Sequence, residues 1–444
     1  MAQSSIQIPF SNEIIRNNVI TKVNQTKSGI CVYVEPRIQE TYPRPDCKEP
    51  VRVEPYHRSR WVLVRGLGIP GQAVNYRVRR IRCRYVNDVG EVKTFTLDVV
   101  GLNTRLKMTD ELMDKVLYFL IDRNESLAET VQLLRDIYGV KASIPALHRA
   151  KQSEAEKLPS QGELIRLLHQ QQPITDLHID EYKAKGTRGW ELLIRDQHGR
   201  LVLSLYLKKR SEKKFKAVLR WLRMLGIEVK VCYVDFWAAY AAAIRAIYPQ
   251  AKIQYDYFHI IQNIWRHLYR EFTAYRKDFK AAKTDKERQR LRAEMHKRLW
   301  ENRYLFFTHE HHLSDEEKAT LEQLLAEHEG TILHEIVAFI RHIWDLFNNS
   351  RSQLAAHLKR LDLVAEGWAY KSEHFRQVMD FLRQHFNQMI TYIGDEEVQR
   401  FSLAETTVRQ VRRIETVRQG FKSRQGRANH FKLFQWRIYL ASAV

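Results

Sequence analysis

The sequence predicts a multidomain α/β protein whose mixed-sheet core is interrupted by an all-helical insertion. Three observations lead there. Strand-like alternation fills residues 1–100, an alternating strand-and-helix succession fills 170–275, and strongly helical stretches fill 276–398.

In residues 1–100, VRVEPYHRSRWVLV, NYRVRRIRCRYV and EVKTFTLDVV alternate between turn signals such as GIPG and NDVG, predicting a small β-rich module. From 101 to 160 the period becomes helical. TDELMDKVLYFLIDR opens on a threonine cap; SLAETVQLLRDIYG and SIPALHRAKQ follow, split by a tight turn at Tyr138, Gly139 and Val140. This segment resembles a helix-turn-helix in which Ser143 to Lys151 would begin the recognition helix, and a linker bundle packed on its neighbours fits equally well.

ITDLHID, GWELLIRD and RLVLSLYLKKR read as three successive strands, the last two joined by the turn from Asp196 to Gly199. SEKKFKAVLRWLRMLG is an amphipathic helix capped by Ser211 and ended by Gly226. EVKVCYVD is an apolar strand, FWAAYAAAIRAIYP a helix closed by Pro249, AKIQYD a short strand, and YFHIIQNIWRHLYREFTAYRKDF a long helix. This order is the succession of the ribonuclease H-like fold, which sets the ends of its first and fourth strands side by side. Asp180 would end the first and Asp235 the fourth. Carboxylates there suit two Mg²⁺ ions about 3.5 to 4 Å apart, stabilising the attacking and leaving oxygens of a phosphodiester.

Composition favours the same chemistry. Lys plus Arg outnumber Asp plus Glu by 73 to 52, a net charge of +21 that points to a polyanionic partner, nucleic acid ahead of an anionic membrane. No run of about 18 apolar residues occurs, and MAQSSIQIPFSNEIIRNN lacks an apolar signal core. Four cysteines are too sparse for a secreted disulfide framework, so the chain reads as soluble, cytoplasmic and nucleoid-associated. No Gly-rich phosphate loop supports ATP use.

HIDEYKAK, YVDFWAAYAAAIRAIYPQAKIQYDYFHIIQNI and AETTVRQVRRIETVRQGFKSRQGRANHFKLFQWRIYL resemble the DDE transposases of bacterial insertion sequences, particularly the ISL-three group. That family has an Asp-Glu pair after its first strand, an Asp-x-Trp-x-x-Tyr block and an Asp-x-Phe-His block. Here these are Asp180 with Glu181, Asp235 with Trp237 and Tyr240, and Asp256 with Phe258 and His259. The family's last acid stands fifteen positions before a Gly-Phe-basic triplet, which selects Glu405, ahead of Gly420, Phe421 and Lys422, over Glu396 and Glu415. Thr406 and Thr407 follow it where the family commonly has Gly and Asn.

The resemblance implies metal-dependent cleavage at transposon ends and strand transfer into target DNA. It implies Asp180, Asp235 and Glu405 as ligands of two Mg²⁺ or Mn²⁺ ions, supported by Asp256 and His259, and a homodimer or higher oligomer on DNA. A domesticated DNA-binding regulator with an inactive transposase fold, and a structure-selective nuclease, are the alternatives. Read on their own, Asp256 and His259 fit either a phosphate-orienting pair or a helix cap with a buried histidine behind it.

The remaining residues fit around that centre. Residues 399–444 are expected to carry the final catalytic helix and a basic tail in which Arg409, Arg412, Arg413, Arg418, Lys422, Arg424 and Arg427 meet the DNA backbone. In the insertion, Trp300, Trp344 and Trp368 are either core or platforms for a flipped base, and His309 to His312 read as a solvated loop. The family often begins with a zinc ribbon, but Arg44 stands where the partner of Cys47 belongs and Cys83 lacks a second cysteine. The module is thus expected to be ribbon-like with its metal lost, Arg79, Arg80 and Arg82 touching phosphate, and structural Zn²⁺ is not expected.

Overall fold

In the computed structural model the described residues are 12–26, 29–43, 50–68, 72–183, 189–281, 286–417, 421 and 423–442. Of 12, 13, 26, 278–281, 286–289, 404–407, 410 and 442 only the backbone is described. The chain divides into two compact units, Met1–Leu164 with Ala184–Thr187 and Gln410–Val444, and Ile165–Lys183 with Arg188–Arg409.

In the first unit a six-stranded sheet is built around Gly29–Pro36, which pairs antiparallel with Asn18–Thr26 and parallel with Ala73–Val78. Ile30, Val32 and Val34, at a period of two, turn one face against Val64, Val74, Tyr76 and Val78. A three-stranded sheet of Glu54–Arg58, Ile81–Val86 and Val92–Leu97 exposes Arg82 and Arg84 between the buried Ile81, Cys83 and Tyr85.

Helices follow where caps begin them. Asp110–Leu117 starts at Thr109, whose hydroxyl accepts the Leu112 N–H at 3.2 Å. Leu127–Tyr138 starts in a Ser126–Glu129 capping box and stops at Gly139, whose φ of +64° is the left-handed turn glycine tolerates. Ile144–Lys157 exposes Ile144, Pro145, His148 and Arg149, but Lys151, within the expected recognition helix, is only 7 % exposed. The last helix, Arg424–Ser442, packs there: Lys151 Nζ lies 3.4 Å from the Gly426 carbonyl, and Lys432 Nζ donates to the carbonyls of Ala155 and Leu158 at 2.9 and 3.0 Å.

The second unit holds a mixed sheet of β1 (Asp176–Lys183), β2 (Trp190–Arg195), β3 (Leu201–Leu207), β4 (Val231–Val234) and β5 (Lys252–Tyr255), ordered β3-β2-β1-β4-β5. β2 runs antiparallel to β1 and β3, while β4 runs parallel to β1 and β5. Between strands come α1 (Glu212–Met224) and α2 (Ala238–Ile247), and α3 (Tyr257–Ala281) follows β5. All four residues of β4 are buried, as a strand flanked by parallel neighbours requires. β1 runs on past Asp180: Glu181, Tyr182 and Lys183 pair with Leu192, Glu191 and Trp190, so Asp180 lies inside the strand rather than at its end.

The β2–β3 hairpin is locked by a buried ion pair. Asp196 Oδ2 meets Arg200 Nε at 2.6 Å, and the guanidinium also donates to the carbonyls of Leu168 and Gln172 at 3.0 and 2.8 Å. These bonds offset the desolvation of both charges.

After α3 the chain passes through Lys286–Glu301, Asp315–Glu327, Ile332–Asn348, Gln353–Ala365 and Glu373–Met389, all helical. Their core contains Phe306, Phe339, Phe347, Phe375 and Phe386. Trp368 belongs to it, against Phe339 and Phe375, with its indole N–H donating to Glu366 at 2.7 Å. Trp344 is half-buried, and the rings of His309 and His312 pack on it; the run is a short helical turn instead of a loop, with Glu310, His311 and His312 exposed as expected. Trp300 lies between the guanidinium groups of Arg276 and Arg303, each 4.3 Å from its ring. The chain then enters α4 (Ala404–Val417). Glu405 falls in its first turn with its side chain outside the described residues, and Arg418, Lys422 and Cys47 lie outside them altogether.

Candidate active site

Three aspartates line up across three adjacent parallel strands, Asp180 within the first and Asp235 and Asp256 just past the other two. The β1–β4 register pairs His178 with Tyr233, and the β4–β5 register pairs Val234 with Tyr255. Asp180 and Asp235 each stand two residues past the first of these pairs, and Asp235 and Asp256 one residue past the second, so the three fall at matching positions along neighbouring chains. Asp235 and Asp256 lie just beyond their strands, where each turns the chain toward a helix. Asp235 Oδ1 accepts the Trp237 N–H at 2.9 Å, and Asp256 Oδ1 accepts the Phe258 N–H at 3.0 Å.

His259, in the first turn of α3, has Nε2 3.9 Å from Asp180 Oδ2, an ion-pair distance. Burial alone would lower its pKa, but Asp180, then Asp256 and Asp235, outweigh burial and raise it to about 9. The imidazole thus faces Asp180, and the charges of Asp256 and Asp235 act on it in the same direction. Asp256 also caps α3, so its cap role and its charge toward His259 coexist.

On the other side of Asp235 stands Arg210, a residue absent from the sequence reading. Its Nε lies 2.5 Å from Glu181 Oε2 and its Nη2 3.6 Å from Asp235 Oδ2. Its guanidinium packs over the rings of Trp237, Trp190 and Tyr240 at 4.6, 5.0 and 5.9 Å. Burial raises the pKa of the Glu181 carboxyl, and Arg210 and the Tyr240 hydroxyl oppose that shift. Trp237 and Tyr240, the aromatic residues of the second acidic block, therefore form walls of a cation pocket. Their spacing was the available signal, but Arg210 ends a KKR run that passes for solvated charge.

With this geometry in view, the family profile of the ISL3-group DDE transposases, described as a transposase, matches residues 177–426, more than half of the chain. The chain belongs to this family. Comparison with curated proteins found no match. DDE transposases generally use divalent metal ions and act on DNA, and the matched span includes Asp180, Asp235, Asp256, His259 and Glu405.

In this transposase the donor set suits such ions. Asp180 and Asp235 are hard oxygen donors, and the negative charge that faces His259 and draws Arg210 to Asp235 is one a divalent cation also satisfies. Among the described residues, no three His, Cys, Asp or Glu side chains are grouped closely enough to hold one ion; the Glu405 carboxyl lies outside them. No helix among the described residues is long and apolar enough to cross a membrane.

The basic residues are unequal. Arg409, Arg412, Arg413 and Arg424 are exposed. Arg427, expected beside them on DNA, is buried, with Nη2 2.5 Å from Glu415 Oε1. Arg79 is half-buried over the Trp61 ring at 4.2 Å and 3.4 Å from Glu35, while Arg80 and Arg82 are exposed. A cleft of about 850 Å³ opens beside Asp256, lined by Phe258, Trp265, Phe307, Trp344, Phe401 and Arg409.

Proposed function

We propose that this transposase cleaves DNA at transposon ends and transfers the freed 3′-hydroxyl to target DNA, with Asp180, Asp235 and Glu405 as ligands of two Mg²⁺ or Mn²⁺ ions. The row of Asp180, Asp235 and Asp256 across three parallel strands carries this reading. The strand order, with β1 between an antiparallel and a parallel neighbour, favours a ribonuclease H-like core. Glu405 rests on its fifteen-residue spacing to Gly420, and its rival Glu415 is buried against Arg427. Ions held there supply Lewis-acid activation of water and of the scissile phosphate.

The protein's own groups do the rest. His259, which faces Asp180, donates to a phosphate oxygen, while Asp256 fixes the start of α3 that carries it. Arg210 holds Asp235 and Glu181 in place. Exposed Arg409, Arg412, Arg413 and Arg424 grip backbone phosphates, as do Arg80 and Arg82 of the β-rich module. His148 and Arg149, on the exposed face of Ile144–Lys157, extend toward base edges as in a helix-turn-helix. Holding two ends together calls for a dimer or larger assembly.

The test is a duplex carrying the terminal repeat that flanks the transposase's own coding sequence. Wild-type protein is expected to nick it with Mg²⁺ and join the product to a plasmid, and Asp235→Ala to bind it without cutting. Unchanged cleavage by Asp235→Ala overturns the assignment. Binding without cleavage by the wild type points to a regulator, and cleavage without joining to a nuclease.

A further inference from the structure

Two residues before each aspartate of the row stands a buried polar side chain: His178 before Asp180, Tyr233 before Asp235, Gln254 before Asp256. The strand registers pair His178 with Tyr233 and Tyr233 with Gln254, so these three form a second cross-strand row parallel to the first. Each is fully buried, where a polar atom without a partner costs about 1–3 kcal/mol.

Each of the three has a partner in one stretch of chain, 389–403, which runs from the end of the helical insertion to the start of α4. Gln254 Nε2 donates to the Met389 carbonyl at 3.1 Å, and its Oε1 accepts the Tyr392 N–H at 3.0 Å. The Tyr233 hydroxyl accepts the Gln399 N–H at 2.7 Å. His178 Nδ1 accepts the Leu403 N–H at 3.1 Å, one residue before α4 begins. The His178 and Tyr233 rings stack at 4.1 Å, 3° from parallel, which fixes both acceptors at once. Thr391 adds a bond to the Ile253 carbonyl at 2.8 Å, and Lys252 meets Asp395 at 2.7 Å. The returning chain is thus fastened to β5, then β4, then β1.

We infer that His178, Tyr233 and Gln254 are positioning residues: they fix the chain leaving the insertion across the sheet so that α4, which bears Glu405, begins beside the strands that carry Asp180 and Asp235. The inference rests on the assignment of Glu405 proposed above. It gives physical content to a problem the chain order creates, because a long helical insertion separates the third acid from the other two. Backbone hydrogen bonds to three adjacent strands fix that stretch in register, which a flexible linker would not do.

Tyr233→Phe removes one acceptor and keeps the ring stack; His178→Phe removes the other. Each is expected to slow single-turnover cleavage of the same duplex by about 10- to 100-fold and to raise the Mg²⁺ concentration at half-maximal rate, as losses of outer supports at metal sites do. Affinity for the duplex without metal is expected to stay at the wild-type value. His178→Gln, which returns a side-chain acceptor, is expected to recover part of the rate, and amide exchange is expected to speed up in peptides covering 399–403. Glu405→Ala runs alongside. If it cuts normally, the Glu405 assignment fails and takes the inference with it. If it is inactive while Tyr233→Phe and His178→Phe keep wild-type rate and Mg²⁺ dependence, the positioning role alone is overturned. Should His178→Phe not fold, Tyr233→Phe, which loses a single hydroxyl, decides.

Discussion

Arg210 bridges two carboxylates with one guanidinium, and its worth can be measured at the level of single residues. Glu181 is buried, so Arg210→Met strands a carboxylate away from water and is expected to cost about 3 kcal/mol in urea unfolding. Adding Glu181→Gln removes the stranded charge, and the double variant is expected to recover at least about 1 kcal/mol relative to the sum of the single losses. Strict additivity would contradict the pairing. That Asp180 and Asp235 fall on neighbouring strands was legible in the sequence, because acids following apolar strand residues stand out by type. Arg210, His178 and Gln254 were not, because their roles come from partners that only the folded sheet brings near.

Elements separate the arginines that face solvent from those that hold the fold. Arg412 and Arg413 are exposed on α4, so replacing both with alanine is expected to reduce the slope of log affinity for DNA against log salt by about 1.8, at about 0.9 per phosphate contact. Arg427→Ala is expected to leave that slope unchanged but to cost about 3 kcal/mol of stability, since the buried Glu415 then loses its guanidinium partner. A reduced slope for Arg427→Ala would contradict this division. In the hairpin, Asp196→Ala is expected to cost a similar amount, about 3 kcal/mol by thermal unfolding, by stranding Arg200. At this scale the local signals served well: the Thr109 and Ser211 caps, the Gly139 and Gly226 turns and the apolar run of β4 depend on neighbours in sequence. Lys151 and Arg427 were misread because Arg424–Ser442 covers the one and Glu415 the other, both through long-range packing that periodicity does not carry.

For the whole molecule, the net charge of +21 and the family membership agree on DNA. The proposed centre draws two acids from neighbouring strands and takes its third from beyond the helical insertion. The most direct measurement is single-turnover cleavage of the terminal-repeat duplex at saturating Mg²⁺ by Asp180→Asn, Asp235→Asn and Glu405→Gln, with Glu396→Gln as control. Each of the first three is expected to fall by about 1,000-fold, or about 4 kcal/mol, with duplex binding retained and Glu396→Gln near wild type. Wild-type cleavage by any one of the three would contradict a single centre built from Asp180, Asp235 and Glu405.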